Sequence, residues 1–148
     1  MPNQESENEK RIHLKLHHIA YAVKSTDEAI EQFKVIYPEV HLYKCLEKSQ
    51  NVYITYLSNK DENYKIELVE GVGSPNPVEN MLKTRDFALY HLCYLVNDFK
   101  KAIEYFKKKK FLMITSPFEC ATEKGMWACH FFNSKLGIIE ITGLIDHE

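Results

Sequence analysis

Apolar and polar positions along the chain fall into short segments of alternating and helical period. From Leu14 to Val23 the residues read as a strand, with Ile19, Tyr21 and Val23 on one face and His18, Ala20 and Ala22 on the other. Ser25-Thr26-Asp27-Glu28 then starts a helix, Ser25 as its cap and Glu28 three residues on. Ala29, Ile30, Phe33 and Tyr37 give that helix one apolar stripe, and Pro38 stops it. Strand-like segments follow at about 41–47, 51–58 and 63–70, the last two separated by the turn-forming Asn59-Lys60-Asp61. Gly73-Ser74-Pro75-Asn76-Pro77 is a loop, and Val78 to Lys83 is expected as a short helix. The order then returns: a strand over 88–96, a helix over 98–109 with Phe99, Ala102, Ile103 and Phe106 at helical spacing, and strands near 111–117, 125–132 and 137–142. The expected class is α+β, with two pseudo-symmetric βαβββ modules at about 14–72 and 87–144 joined by a linker over 73–86. Residues 13–148 read as one domain, and residues 1–12, rich in Asn, Glu and Lys, as a disordered tail.

The second module repeats the first at an offset of 73 residues. Over residues 16–33 against 89–106, eight of eighteen positions are identical. Leu16-His17-His18-Ile19 aligns with Leu89-Tyr90-His91-Leu92, and Ile66-Glu67-Leu68 with Ile139-Glu140-Ile141. Each half thus carries one histidine and one glutamate, His18 with Glu67 and His91 with Glu140, 49 residues apart in both. Strand parity turns the neighbours Ile66, Leu68, Ile139 and Ile141 away from their glutamates, toward the helices. All four polar side chains can then face one cavity. Buried carboxylates are costly unless paired, and a divalent cation pairs them. Two imidazoles and two carboxylates brought to one point are a candidate metal site. By the same parity His17 falls on the helix side and reads as structural; its counterpart is Tyr90.

Composition narrows the classes of partner. The formal net charge of −2 gives no basic field for nucleic acid or an anionic membrane, and Lys107 to Lys110 are the only basic run, at a helix end where cations complement the dipole. No apolar stretch has the length of a membrane span. Cys45, Cys93, Cys120 and Cys129 form no CxxC pair, which suits reduced thiols in a cytoplasmic protein.

Over residues 14–143 the chain resembles the vicinal oxygen chelate superfamily, which includes glyoxalase I, methylmalonyl-CoA epimerase, extradiol dioxygenases and antibiotic-binding proteins. That family builds a half-barrel metal cup from paired βαβββ modules. The resemblance implies one divalent metal ion (Zn, Ni, Co, Mn or Fe) held by His18, Glu67, His91 and Glu140, a small-molecule substrate, and allows a homodimer. His-Glu-His-Glu is the set of bacterial glyoxalase I, whereas epimerases usually carry Gln at the position of Glu67. Leu16 to Val23 and Ser74 to Leu82 are similar to segments of epimerases. The positions from which glyoxalase I grips glutathione hold Ala22 and Gly71 here, and the position of the epimerase's base on the preceding strand holds Tyr53.

The resemblance implies a metal-dependent enzyme that removes a proton α to a carbonyl or thioester, an epimerase or isomerase like methylmalonyl-CoA epimerase. Glu140 is the expected base, acting after loosening from the metal, with Glu67 as its pseudo-symmetric partner. Tyr53, Thr55, Tyr56, Lys124 and His130 are further candidates for proton relay or substrate contact. The alternatives are a glyoxalase I-type lyase acting on a thiol hemithioacetal and a non-catalytic binding protein on the same scaffold. Extradiol dioxygenase chemistry fits less well, because Glu67 would occupy coordination space that iron needs open.

Overall fold

Among the described residues nine strands form a single mixed sheet that curls into a half-barrel, with one helix per module on its convex side. The computed structural model describes residues 11–145, and most of the expected amino-terminal tail lies outside them. Ile12, assigned to that tail from sequence, packs against the core of the second module. In chain order the elements are β1 (Leu14–Val23), α1 (Thr26–Phe33), β2 (Glu39–Glu47), β3 (Val52–Ser58), β4 (Lys65–Gly71), β5 (Phe87–Val96), α2 (Phe99–Lys108), β6 (Leu112–Met113), β7 (Phe118–Glu119), β8 (Met126–Asn133) and β9 (Gly137–Leu144). The strands lie in the order β2-β3-β4-β1-β5-β9-β8-β6, with β7 on β8. β1 runs parallel to β4 and β5 parallel to β9, while β1 and β5 pair antiparallel and join the halves.

The helices start where the sequence places them, although α1 ends at Phe33, ahead of the expected stop at Pro38. Ser25 Oγ accepts from Glu28 N at 3.2 Å and Asp98 Oδ1 accepts from Lys101 N at 3.0 Å, each satisfying a free amide of a helix's first turn. Ile30 packs on Val23, Leu57, Ile66 and Leu68 beneath α1; Phe99, Ala102 and Phe106 pack on Val96, Phe131, Ile139 and Ile141 beneath α2. Burying a side chain such as Phe99 contributes about 1.5–3 kcal/mol. These clusters take the apolar faces that parity assigns to the helix side. The opposite, concave face holds Ala20, Ala22, Val52, Ile54, Tyr56, Val69 and Tyr90.

Two expected elements differ. The strand near 111–117 divides into β6 and β7. Pro117 has no amide hydrogen to donate, and His130 N is bonded not by a backbone carbonyl but by Thr115 Oγ1 at 2.8 Å. Residues 78–83 make turns rather than a helix. Asn76 Oδ1 takes Val78 N at 3.0 Å, and the bonds that follow, Glu79 N to Asn76 O and Lys83 N to Asn80 O, close only single four-residue turns. Val78 and Leu82 are nonetheless buried against the concave face. Among the described residues no helix is long and apolar enough to cross a membrane.

Candidate metal centre

Four adjacent strands each deliver one chemistry-bearing side chain to the concave face: Glu67 from β4, His18 from β1, His91 from β5 and Glu140 from β9. Register explains why they meet. Tyr56, Glu67, Ala20 and His91 form one transverse row, and His18, Cys93, Glu140 and His130 form the next. Residues paired across a sheet share a face, so both rows look into the cavity. Ala20, between Glu67 and His91, contributes only a methyl group and leaves the space open.

His18 Nε2 lies 3.2 Å from Glu67 Oε2 and 3.3 Å from Glu140 Oε1. His91 Nε2 lies 3.7 Å from Glu67 Oε1 and 3.6 Å from Glu140 Oε1, and the two Nε2 atoms are 3.3 Å apart. The four residues are between 2% and 8% exposed. Ligands bonded at about 2.1 Å to one ion stand about 3.0–3.4 Å from each other, so the donor spacing fits a single divalent cation with little adjustment. His18, His91 and Glu140 in particular bring their donor atoms within 4.8 Å of one another.

The charges respond to one another. Burial lowers the pKa of His18, but the carboxylates of Glu67 and Glu140 more than reverse this, and the net shift is upward. For His91 burial prevails over the pull of Glu140, and its pKa is lowered. Burial would raise the pKa of Glu140, yet His91 and His130 outweigh it and hold the carboxyl well below the ordinary value.

Of the other candidates read from sequence, the structure brings two into the site. Tyr56 is buried beside Glu67, and its phenol is held protonated by burial and then by the charges of Glu67 and Glu140. His130 places Nε2 2.6 Å from Glu140 Oε2, with its Nδ1 3.3 Å from Thr115 Oγ1. Glu140 therefore faces two ways, one oxygen toward the paired imidazoles and the other toward His130. Tyr53 and Thr55 point away from the cavity: Lys44 Nζ lies 5.2 Å from the Tyr53 ring centre, and Thr55 Oγ1 accepts from Lys44 N. Lys124 is exposed in the loop before β8.

His17 is not on the helix side. The β1–β5 register shifts between Leu16 and His18, and this bulge turns His17 to the side of its neighbour. Its Nδ1 lies 2.7 Å from His18 Nδ1. With a metal ion on His18 Nε2, the hydrogen of His18 would sit on Nδ1 and be donated to His17. Burial first, then His18 and Lys65, lower the pKa of His17 to about 4, so at neutral pH it is an uncharged acceptor. His91 has no equivalent; its Nδ1 is buried without a hydrogen-bond partner among the described residues.

Above the four residues opens a cleft of about 420 Å³, including its mouth, walled by Val52, Ile54, Val69, Pro77 and Phe118. Cys120 lines it too, but burial and then Glu140 push that thiol up to about 12, which leaves it protonated and a poor nucleophile at neutral pH.

The family model of the Glyoxalase/Bleomycin resistance protein/Dioxygenase superfamily matches residues 15–129. The chain belongs to this superfamily. The match includes His18, Glu67 and His91; Glu140 lies beyond it and enters by geometry. No protein of curated function matches the chain. Among solved structures of the superfamily's fold, a hypothetical protein from Bacillus halodurans C-125 aligns with TM-score 0.75 and 22% identity over 91% of this chain and 97% of its own. Methylmalonyl-CoA epimerase from Mycobacterium tuberculosis aligns with TM-score 0.74 and 15% identity over 88% of each chain. A variant of the Streptomyces coelicolor epimerase in complex with 2-nitronate-propionyl-CoA aligns with TM-score 0.75 and 16% identity over 92% of this chain and 100% of that one. At these identities what is shared is the half-barrel.

Proposed function

We propose that this chain is a metal-dependent enzyme that moves a proton on the carbon α to a carbonyl or thioester, in the manner of an epimerase or isomerase. The observation that carries the reading is the convergence of His18, Glu67, His91 and Glu140 at 3.2–3.7 Å, with Glu67, His91 and Glu140 lining a cleft. A divalent ion held by these four residues supplies Lewis acidity, lowering the cost of the negative charge that develops on the carbonyl oxygen as the α proton leaves.

The remaining work falls to the chain. Glu140 is the base, and general base help of this kind contributes about 10²–10⁴-fold. Its second oxygen rests against His130, so the carboxylate can release one oxygen toward the substrate without losing its place. Glu67, its pseudo-symmetric partner, is the second carboxylate, with the protonated Tyr56 beside it. The apolar walls exclude water from the α carbon. The epimerases among the structural neighbours suit this reading.

A glyoxalase-type lyase is the second reading, favoured by Glu67 as a second carboxylate in the set. Against it, Ala22 is fully buried and the space beside Gly71 is filled by the Asn76 side chain, so neither position can grip glutathione. The deciding test is incubation with acyl-CoA esters and α-hydroxyketones in D₂O, with and without zinc, cobalt or nickel. Metal-dependent deuterium incorporation at the α carbon supports the proposal. Its absence with every substrate, alongside turnover of a thiol hemithioacetal, would give the lyase reading precedence.

A further inference from the structure

Glu47, at the end of β2, is 4% exposed and lines the same cleft as Glu67 and Glu140. Its Oε1 accepts from Ala121 N at 2.9 Å and its Oε2 from Ser49 Oγ at 3.1 Å. Both oxygens act as acceptors, and both partners are neutral. Among the described residues that line the cleft there is no lysine or arginine. The nearby Lys65 stands behind the histidines, its ammonium 5.5 Å from the Tyr56 ring centre, and opens onto a separate depression beside His17. Lys44 is taken by Glu70 at 3.5 Å.

The charges can be summed. A divalent ion would be balanced by Glu67 and Glu140, the latter also against His130, which leaves the Glu47 carboxylate bonded only to neutral groups in a wall shared with Gln50, Val52, Ile54, Phe118, Cys120 and Thr122. A second anion brought beside Glu47 loses its hydration, meets no lysine or arginine and is repelled by that carboxylate. We infer that the substrate of this site is a carbonyl compound whose body, beyond the oxygens that meet the metal, is uncharged, and that Glu47 is the residue that rejects anionic competitors. This rests on the metal reading above and extends it to substrate class. A free carboxylate or phosphate seated in the cleft is the feature it excludes.

The test uses the full chain loaded with zinc, metal content being measured first. Two probes with the same chelating head are compared by calorimetry: benzohydroxamate, and 4-carboxybenzohydroxamate, which adds a remote carboxylate. The affinity of each for zinc in buffer is the reference. On the unaltered chain benzohydroxamate is expected to bind at least about tenfold more tightly, relative to that reference. Glu47→Gln keeps an acceptor for Ala121 N and is expected to close most of the gap while leaving benzohydroxamate within about twofold. Equal affinities on the unaltered chain would overturn the inference, whether or not the variant folds, and so would a gap that persists in a folded Glu47→Gln protein. A chain that retains no zinc would overturn the metal reading first, and the inference with it; zinc retained with no discrimination would overturn the inference alone.

Discussion

His17→Phe isolates a contact that the repeat does not share. The substitution keeps an aromatic ring beside Tyr56 and removes the nitrogen that lies 2.7 Å from His18 Nδ1. Losing the partner of a ligating imidazole costs about 10–100-fold in metal affinity, or about 1.4–2.7 kcal/mol. At a fixed metal concentration above the dissociation constant, the same energy lowers the melting temperature of the loaded chain by about 3–10 °C. Competition against a zinc-chelating dye reads the affinity, and melting in EDTA shows that the variant is folded. The second half supplies the control. Tyr90 occupies the position equivalent to His17, with its ring centre 4.5 Å from that of His91, but His91 Nδ1 has no partner to lose. Tyr90→Phe is therefore expected to leave zinc affinity within about twofold, while His17→Asn, with an amide oxygen to accept the hydrogen, recovers part of the loss. A folded His17→Phe protein that binds zinc as tightly as the unaltered chain would refute the reasoning.

Other outcomes follow from the same geometry. Elemental analysis should find about one divalent ion per chain and clearly less in Glu67→Ala and Glu140→Ala; full occupancy in both variants would remove these residues from the ligand set. Stripping the metal from a chain that holds it at about 100 times its dissociation constant should remove about 2.7 kcal/mol of stability, seen as a lower melting temperature in EDTA. In the metal-free chain the depressed pKa of Glu140 contributes stability that is present above the ordinary carboxylate value and lost as pH falls through the folded-state value. Glu140→Gln should therefore flatten the acid limb of a stability–pH curve below about pH 4.5, and an unchanged limb would contradict this assignment. Burial and then Glu140 push Cys129, like Cys120, up to about 12, so both should alkylate about three orders of magnitude more slowly at pH 7.5 than in the denatured chain, by mass spectrometry.

How much of this was legible in the sequence follows from what symmetry and parity can carry. The repeat picks out His18, Glu67, His91 and Glu140, and alternation assigns their faces, because the register shifts of the β1–β5 pair fall beside the two histidines and leave both in paired positions. His17 escaped because alternation fails at a bulge, and a bulge leaves no mark in the pattern of residue types. His130 and Tyr56 are structural counterparts: each faces its module's glutamate across a hairpin, His130 to Glu140 and Tyr56 to Glu67. The first hairpin is one residue longer, so a fixed offset of 73 misses the correspondence and an offset of 74 recovers it. The divided strand after α2 and the turns at 78–83 depended on side chains, Thr115 and Asn76, that took backbone bonds which propensity assigns to regular structure. Glu47 gave no signal, since its meaning lies in a loop 74 residues away.

The passage between the halves does more than tether them. Val78 and Leu82 share one buried cluster with Ala20, Ala22, Val52 and Val69 from the first half and with Tyr90 from the second, so the crossing segment serves as a stopper for the trough it spans. A gene divided near Gly73 would send that stopper off with the wrong fragment and leave the first fragment's inner surface bare. Divided after Lys83, the same two pieces would each carry a finished surface, and only the antiparallel seam of β1 and β5 would have to zip for the whole to re-form.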